Sequence, residues 1–204
     1  MILNAAKLNG LVLAGGKSLR MGEDKGTIAW YGIPQREYVA ELLSKFCEAT
    51  YISCRHEQQI VNSSYPILPD SYIGMGPYGA ILSAFAKEPG SAWLVVACDL
   101  PLLGEKTLQQ LIDNRHPAAI ATTFESPYDG LPEPLITIWE PKAFPYLLSL
   151  ADEGYKCPRK ALIKSDNVRI IKAEYPGALM NTNTPEDAAA VREILQRQQA
   201  DAGA

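Results

Sequence analysis

The sequence contains few of the residues from which metal sites and disulfide frameworks are built. Its 204 residues include four cysteines and two histidines. The cysteines are far apart and form no C-x-x-C pair, so neither a zinc ribbon nor a disulfide framework is indicated. Two histidines are too few for a histidine-based metal site, and we interpret His56 and His116 as surface or packing residues. Reduced thiols are typical of the cytoplasm.

The sequence also lacks long apolar runs and an excess of positive charge. No apolar run approaches the roughly 20 residues of a membrane-spanning helix, and Lys7 interrupts what would be the apolar core of a signal peptide. The net charge is −4 and the pI is near 5.3, so the surface as a whole repels polyanions. We therefore expect a cytoplasmic protein that has no nucleic acid and no membrane as partner.

Apolar segments of strand length alternate along the chain with segments of helical periodicity. This alternation predicts an α/β fold, in which one Rossmann-like domain has a mostly parallel sheet with helices on both faces. Ala92 to Ala97 is a continuous apolar run, which is typical of a central strand covered on both faces. Thr184 and Pro185 predict the start of the last helix. Further strands are predicted near residues 8–14, 51–54, 67, 118–123 and 135–139, with a proline- and glycine-rich break over 126–134.

A loop rich in glycine and positive charge follows the first predicted strand. Residues 13–26 contain four glycines and the cations Lys17, Arg20 and Lys25. Adjacent glycines let backbone N–H groups approach phosphate oxygens, and ligands of open α/β sheets lie beyond the carboxyl ends of strands. The pattern predicts a phosphate-binding loop. The alternative is a solvated loop that needs glycine only for a turn.

Two other phosphate-binding motifs nearly match. Gly16-Lys17-Ser18 resembles the end of a P-loop, but that motif requires glycine where this chain has Leu11. The segment Gly74–Gly79 does satisfy G-x-G-x-x-G, and Asp99 follows its last glycine by 20 residues, as a ribose-binding acid would in a dinucleotide fold. An NAD-binding oxidoreductase is therefore one alternative, although prolines interrupt the strand that should precede this motif.

Two aspartates follow predicted strands. Asp99 comes directly after the central strand, and its carboxylate should lie at the same sheet edge as the glycine-rich loop. Mg²⁺ is commonly held by one or two carboxylates together with substrate phosphates, so Asp99 is the candidate metal ligand. Asp70, after the weak third strand, is a candidate for the same edge. Both could instead be aspartates that stabilise a turn.

Five motifs together resemble the MobA-like nucleotidyltransferases, and most closely the molybdenum cofactor guanylyltransferases. They are L-A-G-G-K-S-L-R-M-G-E-D-K at 13–25, D-S at 70–71, G-P-Y-G-A at 76–80, C-D-L-P at 98–101 and N-T-N-T-P-E-D at 181–187. The resemblance implies a nucleotidyltransferase in which Asp99 binds Mg²⁺ as well as the nucleotide. The nucleotide-binding residues that it implies are Leu13, Ala14, Gly15, Gly16, Lys25, Asp70 and Asp99.

The reaction that this resemblance implies is the transfer of GMP from Mg-GTP to the phosphate of molybdopterin, with release of pyrophosphate. Lys25, Asp99 and Arg20 are the expected catalytic residues. A cytidylyltransferase or sugar-phosphate nucleotidyltransferase of the same superfamily is an alternative, because the asparagine common near Ser53 or Cys54 in the family is missing. A nucleotide-binding regulator without enzymatic activity is another.

The acceptor side is expected in the last third of the chain. Asn181 and Asn183 are candidates for binding a pterin edge, although asparagines also form turns before helices. The cluster of Lys156, Arg159 and Lys160 could bind the acceptor phosphate, but we interpret it as a charged helix face. Within one domain over residues 1–198, we expect a nucleotide half at about 8–123, an acceptor half at about 124–198 and a frayed tail over 199–204. Both a monomer and a small homo-oligomer are compatible with the sequence.

Overall fold

The computed structural model describes residues 5–16, 25–55, 58 and 63–202. Short 3-10 turns cover Lys25–Thr27 and Pro176–Leu179. The strands are β1 (Leu8–Leu13), β2 (Thr50–Cys54), β3 (Ile67–Pro69), β4 (Ala92–Ala97), β5 (Ala121–Glu125), β6 (Pro132–Trp139) and β7 (Val168–Ile171). The helices are α1 (Gln35–Ser44), α2 (Pro77–Lys87), α3 (Glu105–Asp113), α4 (Ala143–Asp152), α5 (Pro158–Lys164) and α6 (Pro185–Ala202).

The seven strands form one sheet in the order β3-β2-β1-β4-β6-β5-β7. All neighbours are parallel except β6, which is antiparallel to both β4 and β5. The prediction of a mostly parallel α/β sheet is confirmed. Strand β4 lies in the middle of the sheet and all six of its residues are buried, so its predicted central position is confirmed as well.

The core consists of two apolar layers, one on each face of the sheet. Leu94 and Val96 of β4 belong to the layer that contains residues of α1 and α3. Trp93 and Val95 belong to the layer that contains residues of α2, α4 and α5. Successive side chains of a strand point to opposite faces, so a strand with an apolar layer on each face must be apolar throughout.

Two elements differ from the prediction. Strand β7 was not predicted, because it is a short, partly exposed strand at the edge of the sheet, where it pairs with β5. Strand β6 begins at Pro132, inside the predicted break, and prolines are tolerated there because the β5–β6 register shifts between Thr123 and Glu125.

The start of α6 agrees with the prediction from its sequence. The Asp187 N–H donates to the Thr184 hydroxyl at 3.2 Å, and the Thr184 N–H donates to the Asp187 carboxylate at 2.9 Å. This reciprocal pair is a capping box, in which side chains satisfy amides that the helix leaves unpaired. It fixes where the chain turns into α6 directly after Asn183.

The described residues contain no helix that is both long and apolar enough to cross a membrane. The four cysteines, Cys47, Cys54, Cys98 and Cys157, are not joined in disulfides.

A buried ion pair between Arg115 and Glu140 links the segment after α3 to the end of β6 and to the residues that precede β1. Arg115 Nε and Nη2 donate to the Glu140 carboxylate at 2.7 and 3.0 Å, and Arg115 Nη2 also donates to the Ala6 carbonyl at 2.9 Å. The Glu140 side chain is 1% exposed and that of Arg115 is 12% exposed. Neither charge can be solvated well if its partner is removed.

We predict that Arg115→Met lowers the free energy of unfolding by about 3–5 kcal/mol, because it leaves the buried Glu140 carboxylate without its cation. Urea denaturation measures the change. Lys7→Met is the control, since the Lys7–Glu48 pair is largely exposed and its loss should change stability little. Equal stability of the two variants would contradict the prediction.

Candidate functional site

The first four strands end at one edge of the sheet, and the segments that follow them run side by side. The Ala14 N–H donates to the Ser53 carbonyl at 3.1 Å, and the Cys98 N–H donates to the Leu13 carbonyl at 3.3 Å. The Asp70 N–H donates to the Cys54 carbonyl at 2.9 Å. The structure therefore brings the start of the glycine-rich loop, Asp70 and Asp99 to the same edge.

Asp70 is held by the end of β2. The Ser53 hydroxyl donates to Asp70 Oδ1 at 2.8 Å, so the side chain is fixed as well as the backbone. Cys54 lies beside it and is buried. Burial, together with the Asp70 carboxylate, raises the pKa of the Cys54 thiol. Cys54 is thus a neutral packing residue at neutral pH rather than a thiolate ligand.

Asp99 follows β4 at the centre of the edge and is half-buried. Its carbonyl accepts the Thr182 N–H at 2.9 Å, which fastens residues 181–183 to the end of the central strand. Of the two predicted acceptor residues in that segment, Asn181 is half-buried and Asn183 is exposed. The structure therefore brings the two asparagines close to Asp99 in the fold, although they are more than 80 positions apart in the sequence.

The Asp99 carboxylate is the candidate metal ligand at this edge, while Asp70 lies at the end of β3, with β2 and β1 between it and β4. Across the part of the chain that the structure describes, no group of three or more histidines, cysteines and acids could hold a metal ion. A single carboxylate suits Mg²⁺, which keeps several waters and is commonly completed by substrate phosphates.

Gly15 lies close to Arg55, the residue that follows β2. A Cβ at Gly15 would lie 3.3 Å from Arg55 Cγ and 3.4 Å from Arg55 N, whereas a Cβ at Gly16 would meet nothing within 4 Å. Gly16 thus presents open backbone at the edge. Lys17 and Arg20 lie outside the described residues, and of Lys25 only the backbone is described, at the start of a 3-10 turn.

Gln58, which the sequence did not single out, lies against the start of the glycine-rich loop. Gln58 Nε2 donates to the Ala14 carbonyl at 3.2 Å, and Gln58 Oε1 accepts the Arg55 N–H at 3.4 Å. Gln58 thus supplies an amide next to the position where asparagine was expected and missing. The sequence around Gln58 has no periodicity or motif by which it could have been found.

The glycines of the G-x-G-x-x-G segment have structural reasons of their own. Gly74 and Gly76 have φ angles of +77° and +56°, which favour glycine. Gly79 lies where a Cβ would be 2.3 Å from the Tyr72 carbonyl oxygen. The strand before this segment is β3, a three-residue strand at the edge of the sheet rather than the strand at the centre of a dinucleotide fold. The oxidoreductase alternative is not favoured.

Arg159, from the predicted basic face, is engaged with acids. Arg159 Nη1 donates to Asp129 Oδ2 at 2.8 Å and Arg159 Nη2 donates to Glu133 Oε2 at 3.1 Å. These contacts join α5 to the proline-rich start of β6. Lys156 and Lys160, its companions in the cluster, are exposed; Lys160 lies on α5, whereas Lys156 precedes that helix.

Comparison with known proteins identifies the family. The model of the MobA-like NTP transferase domain matches residues 10–169, which is more than half of the chain. The chain belongs to the MobA-like NTP transferase family. This membership confirms the prediction of a nucleotidyltransferase, and it covers the loop, both aspartates and the sheet edge on which they lie.

Relatives and a solved structure agree with membership of the MobA-like family. The chain is 36% identical over 182 residues to a molybdenum cofactor biosynthesis bifunctional protein of Synechocystis sp., covering 88% of this chain and 52% of that protein. It therefore spans about half the length of that relative. It is 31% identical over 192 residues to a probable molybdenum cofactor guanylyltransferase of Bacillus subtilis, covering 90% of this chain and 94% of that protein.

The fold of the MobA-like chain is similar to that of the crystal structure of molybdopterin-guanine dinucleotide biosynthesis protein A from Archaeoglobus fulgidus. The TM-score is 0.78 at 24% sequence identity, covering 93% of this chain and 99% of that one. At this identity the likeness confirms the fold class.

We predict that Gly79→Ala destabilises the protein by about 1–3 kcal/mol, because the new methyl group would overlap the Tyr72 carbonyl and push the segment after Asp70 away from α2. Alanine otherwise favours a helix, so stabilisation would contradict this account. The matched control is Gly90→Ala, where a Cβ would meet nothing within 4 Å. Urea denaturation of both variants measures the difference.

Proposed function

We propose that this MobA-like protein transfers GMP from Mg-GTP to the phosphate of a molybdopterin acceptor and releases pyrophosphate. The observation that carries the proposal is the hydrogen bond between Thr182 and Asp99, because it joins the candidate acceptor segment to the candidate metal and nucleotide residue. The names of the relatives, which include molybdenum cofactor guanylyltransferases of nearly the same length, support the choice of substrates.

In this proposal the nucleotide lies across the ends of β3, β2, β1 and β4. Its contacts are the backbone of Leu13, Ala14, Gly15 and Gly16, the side chain of Lys25, and the carboxylates of Asp70 and Asp99. Open backbone at Gly16 supports this placement, because unhindered N–H groups can approach phosphate oxygens. Lys25 and Arg20 would stabilise the negative charge of the triphosphate and of the leaving pyrophosphate.

Asp99 would hold Mg²⁺, whereas Asp70, at the end of β3 and separated from β4 by β1 and β2, would contact the nucleotide farther along the same edge. Bound Mg²⁺ would neutralise charge on the triphosphate oxygens. The fit rests on the donor set, since a half-buried carboxylate with few other acidic ligands leaves positions for phosphates and water.

The acceptor phosphate would attack the α-phosphorus of the nucleotide in line with the leaving group. A bond forms between the acceptor oxygen and the α-phosphorus, and the bond from the α-phosphorus to the β-phosphate oxygen breaks. A phosphate monoester is already anionic at neutral pH, so the reaction needs no general base. The absence of a histidine among the candidate catalytic residues is consistent with such a reaction, which depends on positioning and charge neutralisation.

The acceptor would lie on the other side of Asp99, with Asn181 and Asn183 as its candidate ligands. This division gives one domain over residues 1–198, with a nucleotide half at about 8–123 and an acceptor half at about 124–198. A cytoplasmic enzyme without nucleic-acid or membrane partners, as a monomer or a small homo-oligomer, is part of the same proposal. Gln58 is the candidate for contacting the base, since its amide lies beside the Ala14 carbonyl.

We predict that Asp99→Ala or Lys25→Ala lowers pyrophosphate release by about 100-fold, the order expected when a preorganised electrostatic group is removed. A coupled pyrophosphate assay with Mg²⁺, GTP and molybdopterin measures the loss. Asp113→Ala is the control, because Asp113 is an exposed acid at the end of α3, and it should retain wild-type turnover.

Three results would overturn parts of the proposal. Near-normal turnover in a folded Asp99→Ala protein would remove its role at the metal. Binding of GTP and Mg²⁺ by the wild-type protein, without pyrophosphate release, would favour the nucleotide-binding regulator. A thermal-shift panel in which CTP stabilises the protein more than GTP would favour a cytidylyltransferase, since a ligand at 100 times its dissociation constant adds roughly 2.7 kcal/mol.

A further inference from the structure

The turn that follows Asp99 is held by hydrogen bonds from two separate parts of the chain. The Asp99 carbonyl accepts the Thr182 N–H at 2.9 Å. The next carbonyl, of Leu100, accepts Gln35 Nε2 at 3.3 Å, and that of Pro101 accepts the Tyr31 hydroxyl at 2.8 Å. Three consecutive carbonyls are thus fixed from the acceptor segment on one side and from residues 31–35 on the other.

Residues 31–35 are directly connected to the turn that begins at Lys25. The Gln35 N–H donates to the Ile28 carbonyl at 2.9 Å, one residue beyond the 3-10 turn. The Tyr31 ring stacks on the Tyr38 ring of α1, with centroids 4.1 Å apart and an interplanar angle of 18°. The segment between Lys25 and α1 is therefore packed against α1 and bonded to the turn after Asp99.

A buried glutamine at position 35 gives the fold less stability than an apolar side chain would. Its side chain is completely buried, and its Oε1 has no hydrogen-bond partner among the residues that the structure describes. A buried polar atom without a partner costs free energy, and an apolar side chain of similar size would avoid that cost. What the glutamine adds is its donated hydrogen bond to the Leu100 carbonyl.

Tyr31 contributes a hydrogen-bonding hydroxyl in addition to its stacked ring. The residue is 38% exposed, so its apolar burial is incomplete. Burial of the hydroxyl and the neighbouring Tyr38 raise the pKa of Tyr31, which therefore stays protonated and donates to Pro101 throughout the neutral range.

We propose that Gln35 and Tyr31 are positioning residues that fix the Asp99 carboxylate relative to the Lys25 turn. The inference rests on the proposed function, in which Asp99 and Lys25 act on the same metal-bound triphosphate. Without the two hydrogen bonds, the turn can shift, and the carboxylate would spend less time where the metal and the phosphates need it. The expected consequence is a weaker hold on the metal in the nucleotide complex.

The experiment compares Tyr31→Phe, Gln35→Met and a control. The control is Tyr146→Phe, which also removes a tyrosine hydroxyl that donates to a backbone carbonyl, that of Ala161 at 2.9 Å, but between α4 and α5. Electron paramagnetic resonance measures Mn²⁺ binding to each protein at saturating GTP. Pyrophosphate release as a function of Mg²⁺ concentration gives the half-saturating metal concentration.

We expect the half-saturating metal concentration to rise about fivefold in Tyr31→Phe and in Gln35→Met, within the range that one lost hydrogen bond allows. Mn²⁺ affinity should fall by a similar factor, and excess Mg²⁺ should restore most of the turnover. Tyr146→Phe should keep the wild-type metal requirement, even if its melting temperature falls as far.

The results separate the two proposals. If the wild-type protein is active and Tyr31→Phe has the same metal requirement as the wild type, the positioning role is overturned and the proposed function stands. A wild-type protein that binds Mn²⁺ with GTP but releases no pyrophosphate overturns the proposed function, and the Mn²⁺ affinities of the variants still decide the positioning role. If Gln35→Met does not fold, Tyr31→Phe decides the question, because it leaves the ring stack in place.

Discussion

The hydrogen bond from the Cys98 N–H to the Leu13 carbonyl joins the ends of the two central parallel strands. The rest of the site depends on this pairing, because it places the start of the glycine-rich loop next to Asp99. The carboxyl ends of parallel strands lie at the same edge of a sheet, so the pairing of β2 with β1, and of β3 with β2, also places Ser53 and Asp70 at that edge.

Burial of β4 on both faces is what makes this edge rigid. The strand has an apolar layer on each side, so its register against β1 cannot slip without moving large side chains such as Trp93 through the core. A site that works by positioning charged groups, with little acid–base chemistry of its own, needs a rigid platform of this kind.

The distribution of charge follows the same logic. A protein with a net charge of −4 can bind a triphosphate only where local groups oppose the overall field. In the proposed site, backbone amides, loop cations and a metal ion would together do this, so that few acidic residues are needed. Arg159 is paired with Asp129 and Glu133 and so joins α5 to the start of β6.

The sequence by itself determined the fold class, the central strand, the start of α6 and the family. These features are local: an apolar run shows burial on both faces, a Thr-Pro-Glu-Asp segment shows a capped helix, and the motif at 13–25 is contiguous. The sequence missed β7 and the start of β6, because a short exposed strand and a strand that begins with proline carry no clear periodicity.

Only the tertiary structure decided that Thr182 bonds to Asp99, that Gln58 lies on Ala14, and that Gln35 and Tyr31 hold the turn after β4. Each of these contacts joins residues more than 40 positions apart, and such pairings depend on how the strands are ordered in the sheet rather than on any pattern within one segment.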